Sequence, residues 1–329
     1  MPYPNMPQVC DYTAVRKEFA NLFRRSRQCI ISVDIDGILS AVLASHLFEW
    51  EVVGFYTLTD LWVSPKSLPK DERNPEAALR KAGVAFLDHD IYRSEIDSIG
   101  HHLLQWSPDT PIPLHTEGRS SLNPNLLRGI TKREFGRKYP FGTFHFLLAC
   151  ASAWDLLRGF EPDDEMTALL LHIDSSFVNA INYQDNALDW LDWLGGSEAR
   201  SPLYPICKRM LKWSPRRVIE RFKALAERFG SLGIRPRSQA QITDPTRAEE
   251  WQGAWKLIEW VEKDTGWNAR FADFRAEALV HFAMDRRSCK PNRSLFEPII
   301  AKEPFSYAII GSGELGLNYN WFAGRAPRA

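Results

Sequence analysis

Cysteine is scarce in this chain. The five present, Cys10, Cys29, Cys150, Cys207 and Cys289, are odd in number and widely scattered. That argues against a disulfide framework and a Cys-x-x-Cys zinc site, and fits a reducing compartment. Net charge is absent as well: 41 Lys and Arg balance 41 Asp and Glu. No global field draws the chain to nucleic acid or to a membrane, so a polyanion would need a local basic patch. No apolar run reaches spanning length, no basic-then-apolar leader opens the sequence, and no solenoid repeat or low-complexity tract is visible. These absences lead to the expectation of a cytoplasmic protein that does not engage membranes. What is there, 329 residues of which 44% are hydrophobic and 25% charged, is ordinary globular composition with length for about two domains.

The most informative stretch is Ile30 to Phe48, IISVDIDGILSAVLASHLF. An apolar run meets Asp34-Ile35-Asp36-Gly37, and a helical pattern follows at once, which is the strand–turn–helix opening of an α/β unit. Chemistry in such units sits beyond the carboxyl ends of the strands. Read as strand residues two apart, Asp34 and Asp36 share a side. Two converging carboxylates repel unless a cation or a shared proton lies between them. The plainer reading is a polar turn capped by Asp36.

Further along, Glu51 to Leu58 reads as a second strand with Asp60 just past it. Pro75 opens a short helix that Gly83 stops, and Val84 to Leu87 forms a third strand ending in Asp88-His89-Asp90. The β-α-β-loop-α-β order favours a mostly parallel sheet with helices on both faces. Adjacent histidines follow in Gly100-His101-His102, then Asn123-Pro124-Asn125, a basic stretch from Arg128 to Lys138, and Tyr139-Pro140-Phe141-Gly142. Buried helices are expected over Thr143–Leu157 and Glu165–Ile173, the latter running into Asp174. Gly195 to Pro205 is the best boundary, giving a domain over 1–195 and a smaller, mainly helical α+β domain over 205–329. There the tryptophans 251, 255 and 260 at helical spacing read as core, and the tail around Gly311 and Gly313 reads as strands.

Most of the histidines and strand-end aspartates fall between Asp34 and Asp174. Imidazole with carboxylate suits Mn²⁺, Zn²⁺, Fe or Co, and the missing cysteines argue against a thiolate site. In this ordered set the chain resembles the DHH phosphoesterase superfamily. Asp34, Asp36, Gly37, Ser40 and Ala41 match its first motif, Asp88 fits its second by position, and Gly100-His101-His102 fits its Asp-His-His third with the Asp replaced. Asn123-Pro124-Asn125, Tyr139-Pro140-Phe141 and Gly142 follow in the order seen in the single-strand-specific exonuclease branch, and Asp174 is the candidate for the fourth motif. An alternative register takes Asp60 as the second motif and Asp88-His89-Asp90 as the third. Three departures stand out: Ile30 occupies the position of the family's first histidine, Gly100 that of the third-motif Asp, and residues 200–329 lack the Gly-Gly-Gly-His substrate loop.

The resemblance implies one or two Mn²⁺ (or Mg²⁺) ions held by Asp34, Asp36, Asp88, His101 and Asp174. Asp88 and His101 would serve the metal-activated water, and His102 would contact the phosphoryl or leaving-group oxygens. Arg128, Lys132 and Arg133, with Asn123 and Asn125, would bind phosphate. The expected reaction is hydrolysis of phosphodiester bonds in single-stranded nucleic acid or short oligonucleotides, by a chain that forms a homodimer. Two other readings compete. Asp-x-Asp-Gly also opens the haloacid-dehalogenase-type phosphatases, where the first Asp is the nucleophile, but that family wants Thr at Ile38 and leaves the His pair without a role. Ile30 and Gly100 motivate the other, a catalytically degenerate domain that binds nucleic acid or protein as a scaffold.

Overall fold

The computed structural model describes residues 9–110, 121–157, 160–195, 213–236, 239–274, 279–311 and 313–324. After a short helix α1 (Tyr12–Glu18), the chain enters β1 (Gln28–Ile31), whose Cys29, Ile30 and Ile31 are wholly buried. Asp34 caps the next helix, α2 (Ile35–Phe48), by accepting a hydrogen bond from the Gly37 amide. The helix thus starts at Ile35, and Asp36 lies in its first turn rather than on a strand. Residues two apart on a helix do not face one another, so the strand argument for converging Asp34 and Asp36 does not apply.

β2 (Glu51–Tyr56) turns directly into β3 (Asp60–Val63), so Asp60 opens a strand instead of trailing one. α3 (Pro75–Ala82) has the expected proline start, an Asn74 cap and Gly83 in the left-handed conformation at its end. β4 (Ala85–Leu87), β5 (Ser98–Ile99) and β6 (Ser121–Leu122) follow, then the short α4 (Pro124–Arg128). The later helices are α5 (Thr143–Ala153), α6 (Asp164–His172), α7 (Ser176–Asn182), α8 (Gln184–Trp193), α9 (Pro215–Leu232) and α10 (Gln252–Thr265). The tail supplies β7 (Val280–Cys289), α11 (Arg293–Ala301), β8 (Ser306–Ile309) and β9 (Leu317–Phe322).

Among the described residues, nine strands join one sheet in the order β6-β5-β4-β1-β2-β3-β7-β9-β8. The fold is α/β, but the sheet is mixed rather than mostly parallel. Parallel pairing runs from β6 to β2, and every pairing from β2 onward is antiparallel. The sequence reading missed β7, whose arginines and aspartate hide a strand pattern. Its Val280 to Ala283 complete the free side of β3.

The described residues fall into two compact units that alternate along the chain. One is drawn from Ala14–Ser32, Trp50–Lys138 and Phe271–Ala329, the other from Met1–Thr13, Val33–Glu49 and Tyr139–Arg270. The expected boundary at Gly195 to Pro205 lies almost wholly outside the described residues, and strands from 280 to 322 share a sheet with β1–β6. In the sheet unit, Ile30, Val53, Leu61, Phe86, Phe305 and Phe322 form a buried core around Tyr56. The Tyr56 ring meets Phe86 and Phe305 edge-on at 5.8 and 5.9 Å. Its hydroxyl is satisfied by Ser306 at 3.0 Å and by the Asn320 amide, as a buried phenol requires.

In the helical unit, α2 is buried on nearly every side and packs on α5 and α10, while α6 packs on α9. Trp251 and Trp260 are buried and Trp255 is half-buried, stacked on Trp251 at 5.3 Å, so this stripe is core. Among the described residues no helix is long and apolar enough to cross a membrane.

Gly54, at the centre of the sheet, tests this packing. A Cβ there would sit 2.3 Å from the Trp62 carbonyl oxygen, and backbone cannot swing aside as a side chain can. Gly54→Ala should lower the free energy of unfolding by about 1–3 kcal/mol in urea denaturation. An unchanged midpoint would mean that the β2–β3 register is not as described.

Candidate metal centre

Strand order sets the first half of the site. β1 lies between β4 and β2, so the chain moves to opposite sides of β1 on leaving it and on returning. The carboxyl ends of β1 and β4 therefore flank a topological switch point, where open α/β sheets place ligands. Ser32 follows β1 and Asp88 follows β4, and the Ser32 hydroxyl donates to Asp88 Oδ2 at 2.7 Å. Asp88 adopts φ +60°, a conformation that is uncommon for residues with a Cβ and concentrates at functional sites.

Asp88 Oδ1 lies 3.5 Å from His101 Nδ1, and both side chains are buried. Ligand atoms of Asp88, His101 and His102 all fall within 4.8 Å of one another. Burial alone would raise the Asp88 pKa, but the His101 hydrogen bond and the nearby histidines outweigh it and hold the group below the usual carboxylate range. Burial holds His102 well below the ordinary histidine value, and the positive neighbours His101 and Lys138 add to the effect. Lys138 Nζ donates to His102 Nδ1 at 3.4 Å and to the Ile309 carbonyl at 3.2 Å. An ammonium can only donate, so Nδ1 is the acceptor and a neutral His102 carries its proton on Nε2.

Asp90 is buried and is not one of the three converging ligands. Its Oδ2 accepts from the amides of His102 at 2.7 Å and Leu103 at 2.9 Å, and its Oδ1 from Asn123 Nδ2 at 2.7 Å. Asn123 also caps α4, and Asn125 Nδ2 donates to the His101 carbonyl at 2.8 Å. Both asparagines are completely buried, so Asn-Pro-Asn fastens the histidine turn from behind. His89 Nε2 donates to the Tyr56 carbonyl, 2.8 Å away, and burial lowers its pKa to about 4. Asp60 pairs instead with His281 at 2.8 Å. The structure brings Asp88, rather than Asp60, to the paired histidines.

Of the basic candidates, Arg128 is buried, Lys132 lies over the Phe135 ring at 4.5 Å, and Arg133 is exposed.

The helical unit carries a second acidic group. Asp36 is buried, and its Oδ2 and Oδ1 accept from the amides of Thr143 at 2.7 Å and Phe144 at 2.8 Å. A carboxylate at this place satisfies two of the orphan amides of α5 and meets the positive end of its dipole. Gly142, at the cap position, leaves the room: a Cβ there would lie 2.5 Å from Asp36 Oδ2. His145 completes the turn, accepting at Nδ1 from the Gly142 amide (3.1 Å) with its Nε2 2.9 Å from the Leu170 carbonyl. Asp174 offers a carboxylate oxygen within 4.8 Å of one from Asp36. It stands where α6 gives way to α7, and both Asp174 and Ser175 have positive φ, +48° and +56°. Asp34 is half-buried and occupied as the α2 cap.

Sequence reading did not single out Ser32, although its place at the end of β1 was a usable signal. Nor did it find His145, whose two partners come from a helix start and a separate helix.

No family model and no curated protein matches this chain. Among solved structures, a crystal structure of exonuclease RecJ bound to manganese aligns with 14% identity and a TM-score of 0.31, over 81% of this chain and 66% of that one. The chain thus spans just under two thirds of that protein, and a likeness of this size assigns neither fold nor activity.

The capping role of Asp36 predicts a cost that is independent of any metal. Asp36→Ala should lose about 1–2 kcal/mol of stability when unfolding is measured in chelator. Equal stability of variant and wild type under those conditions would remove the α5 cap from the description.

Proposed function

We propose that the chain is a metal-dependent phosphoesterase that hydrolyses phosphodiester bonds, with single-stranded nucleic acid or short oligonucleotides as substrate. The observation that carries this reading is the trio of buried Asp88 and His101 with half-buried His102, converging at the switch point of the sheet. The donor set fits a divalent cation such as Mn²⁺: one carboxylate held ionised and two imidazoles, with no thiolate. Asp88 and His101 would hold the ion, and Asp36 with Asp174 supply the carboxylates suited to another. When bound, such a cation polarises a phosphoryl oxygen and acidifies water.

The chain's own groups do the rest. His101 keeps Asp88 ionised, and the Ser32 hydroxyl orients it. Lys138 occupies His102 Nδ1 and leaves the proton on Nε2, where the ring could donate to a phosphoryl or leaving-group oxygen. The resemblance of the ordered motifs supports phosphorus as the centre attacked, and Lys132 and Arg133 would take phosphates of a longer strand. Binding would then weaken steeply with salt. Arg128, being buried, is removed from that surface.

A specific observation favours the scaffold reading as the alternative. Both oxygens of Asp36 are taken by the α5 amides, and Ile30 fills the place of a ligating histidine inside β1. On that reading the chain binds single strands without turnover.

Labelled single-stranded DNA, RNA, dinucleotides and pyrophosphate, each with Mn²⁺, decide between them. Asp88→Asn is the preferred variant, because Asp34 and Asp36 also cap helices. Turnover should fall by more than the roughly tenfold to hundredfold caused by losing a group that only orients a metal ligand. Full activity in a folded Asp88→Asn protein would put the site elsewhere, and a wild type inert on every substrate would favour the scaffold.

A further inference from the structure

The structure assigns Asp90 as the positioning residue of the paired histidines, with Gly100 as the space that residue requires. The assignment deepens the phosphoesterase reading and, for its effect on turnover, rests on it.

Two facts lock together. The Asp90 carboxylate receives three hydrogen bonds, two of them from the consecutive amides of His102 and Leu103. A Cβ on Gly100 would lie 2.7 Å from Asp90 Cγ and 2.7 to 2.8 Å from both of its oxygens. The carboxylate reaches the His-His turn from residue 90 and fills the volume where a side chain on residue 100 would begin. An acid at position 100 is what the sequence resemblance called for. Here the acid is present, but it hangs from the neighbouring strand end.

The geometry explains why an acid is needed. All three partners are donors, two backbone amides and one carboxamide, and a carboxylate is the side chain that only accepts. An asparagine at 90 would turn an NH₂ toward at least one of them. Asp90, through Asn123 and Asn125, also ties the His101 carbonyl to α4. The turn is therefore held at the His101 carbonyl and the His102 and Leu103 amides, which fixes where both imidazoles leave the backbone. Asp90 itself is buried and bonds the backbone of the turn, so it acts through the histidines.

The test is a reciprocal exchange. Asp90→Gly, Gly100→Asp and the double variant are compared with wild type for Mn²⁺ affinity by calorimetry and for turnover. Hydrogen exchange at the His102 and Leu103 amides is read alongside. Each single variant should lose about tenfold to a hundredfold in Mn²⁺ affinity, the range for groups that orient metal ligands. The double variant, with the acid moved to residue 100, should recover most of that loss.

Asp90→Asn separates charge from shape. It should keep the fold by near-ultraviolet circular dichroism yet speed exchange at those two amides. A folded double variant no better than the worse single would overturn the assignment, as would an Asp90→Asn protein with wild-type Mn²⁺ affinity and amide protection. The amide readout is independent of catalysis. A wild type without turnover but with protected amides that Asp90→Asn releases would sink the phosphoesterase reading and leave the clamp standing.

Discussion

A carboxylate taken out of water must be met by donors, and in this chain backbone amides meet it. Asp36 receives the first amides of α5, and Asp90 receives the amides behind the paired histidines. Leaving such a charge unpaired would cost several kcal/mol, of the order seen when a buried ion loses its partner. Both acids lie against a glycine whose missing Cβ makes the approach feasible, Gly142 at 2.5 Å and Gly100 at 2.7 Å. The same arrangement thus occurs once in each unit. An acid from one segment organises the backbone of another, and a glycine leaves the gap.

This constraint divides the aspartates into two kinds. Asp36 and Asp90 are spent largely on backbone amides. Asp88 is held by a serine hydroxyl and a histidine and stands in a left-handed conformation at a strand end; Asp174 shares that backbone geometry at a helix end. Strained backbone of this kind is where binding chemistry concentrates. Asp34, the first residue of the Asp-x-Asp-Gly motif, is occupied with starting its own helix.

Much of the local structure was legible in the sequence. The Pro75 start and Gly83 stop of α3, the strand before Asp88 and the helix before Asp174 all follow from short-range rules about caps, breakers and periodicity. The long-range partnerships were not. Nothing near Asp36 announces that it caps a helix beginning at Thr143, and nothing near Gly100 announces that Asp90 fills its space. The resemblance put Asn123 and Asn125 at phosphate, and only the buried network shows where their amides go. β7 was hidden because its charged residues disguise the alternation that a strand one-sidedly exposed should show.

The pairing of β3 with β7 has a consequence for how the chain is made. β3 is formed early in the sequence, but the strand that covers its free edge comes from the far end, after the whole helical unit. Until then β3 presents an open row of amides and carbonyls, the kind of edge that recruits stray strands. Closing it needs a contact between distant parts of the chain, which is intrinsically slow. A nascent or truncated chain ending before Val280 would carry that adhesive edge exposed, and so would depend on chaperones or low concentration in a way the finished protein does not.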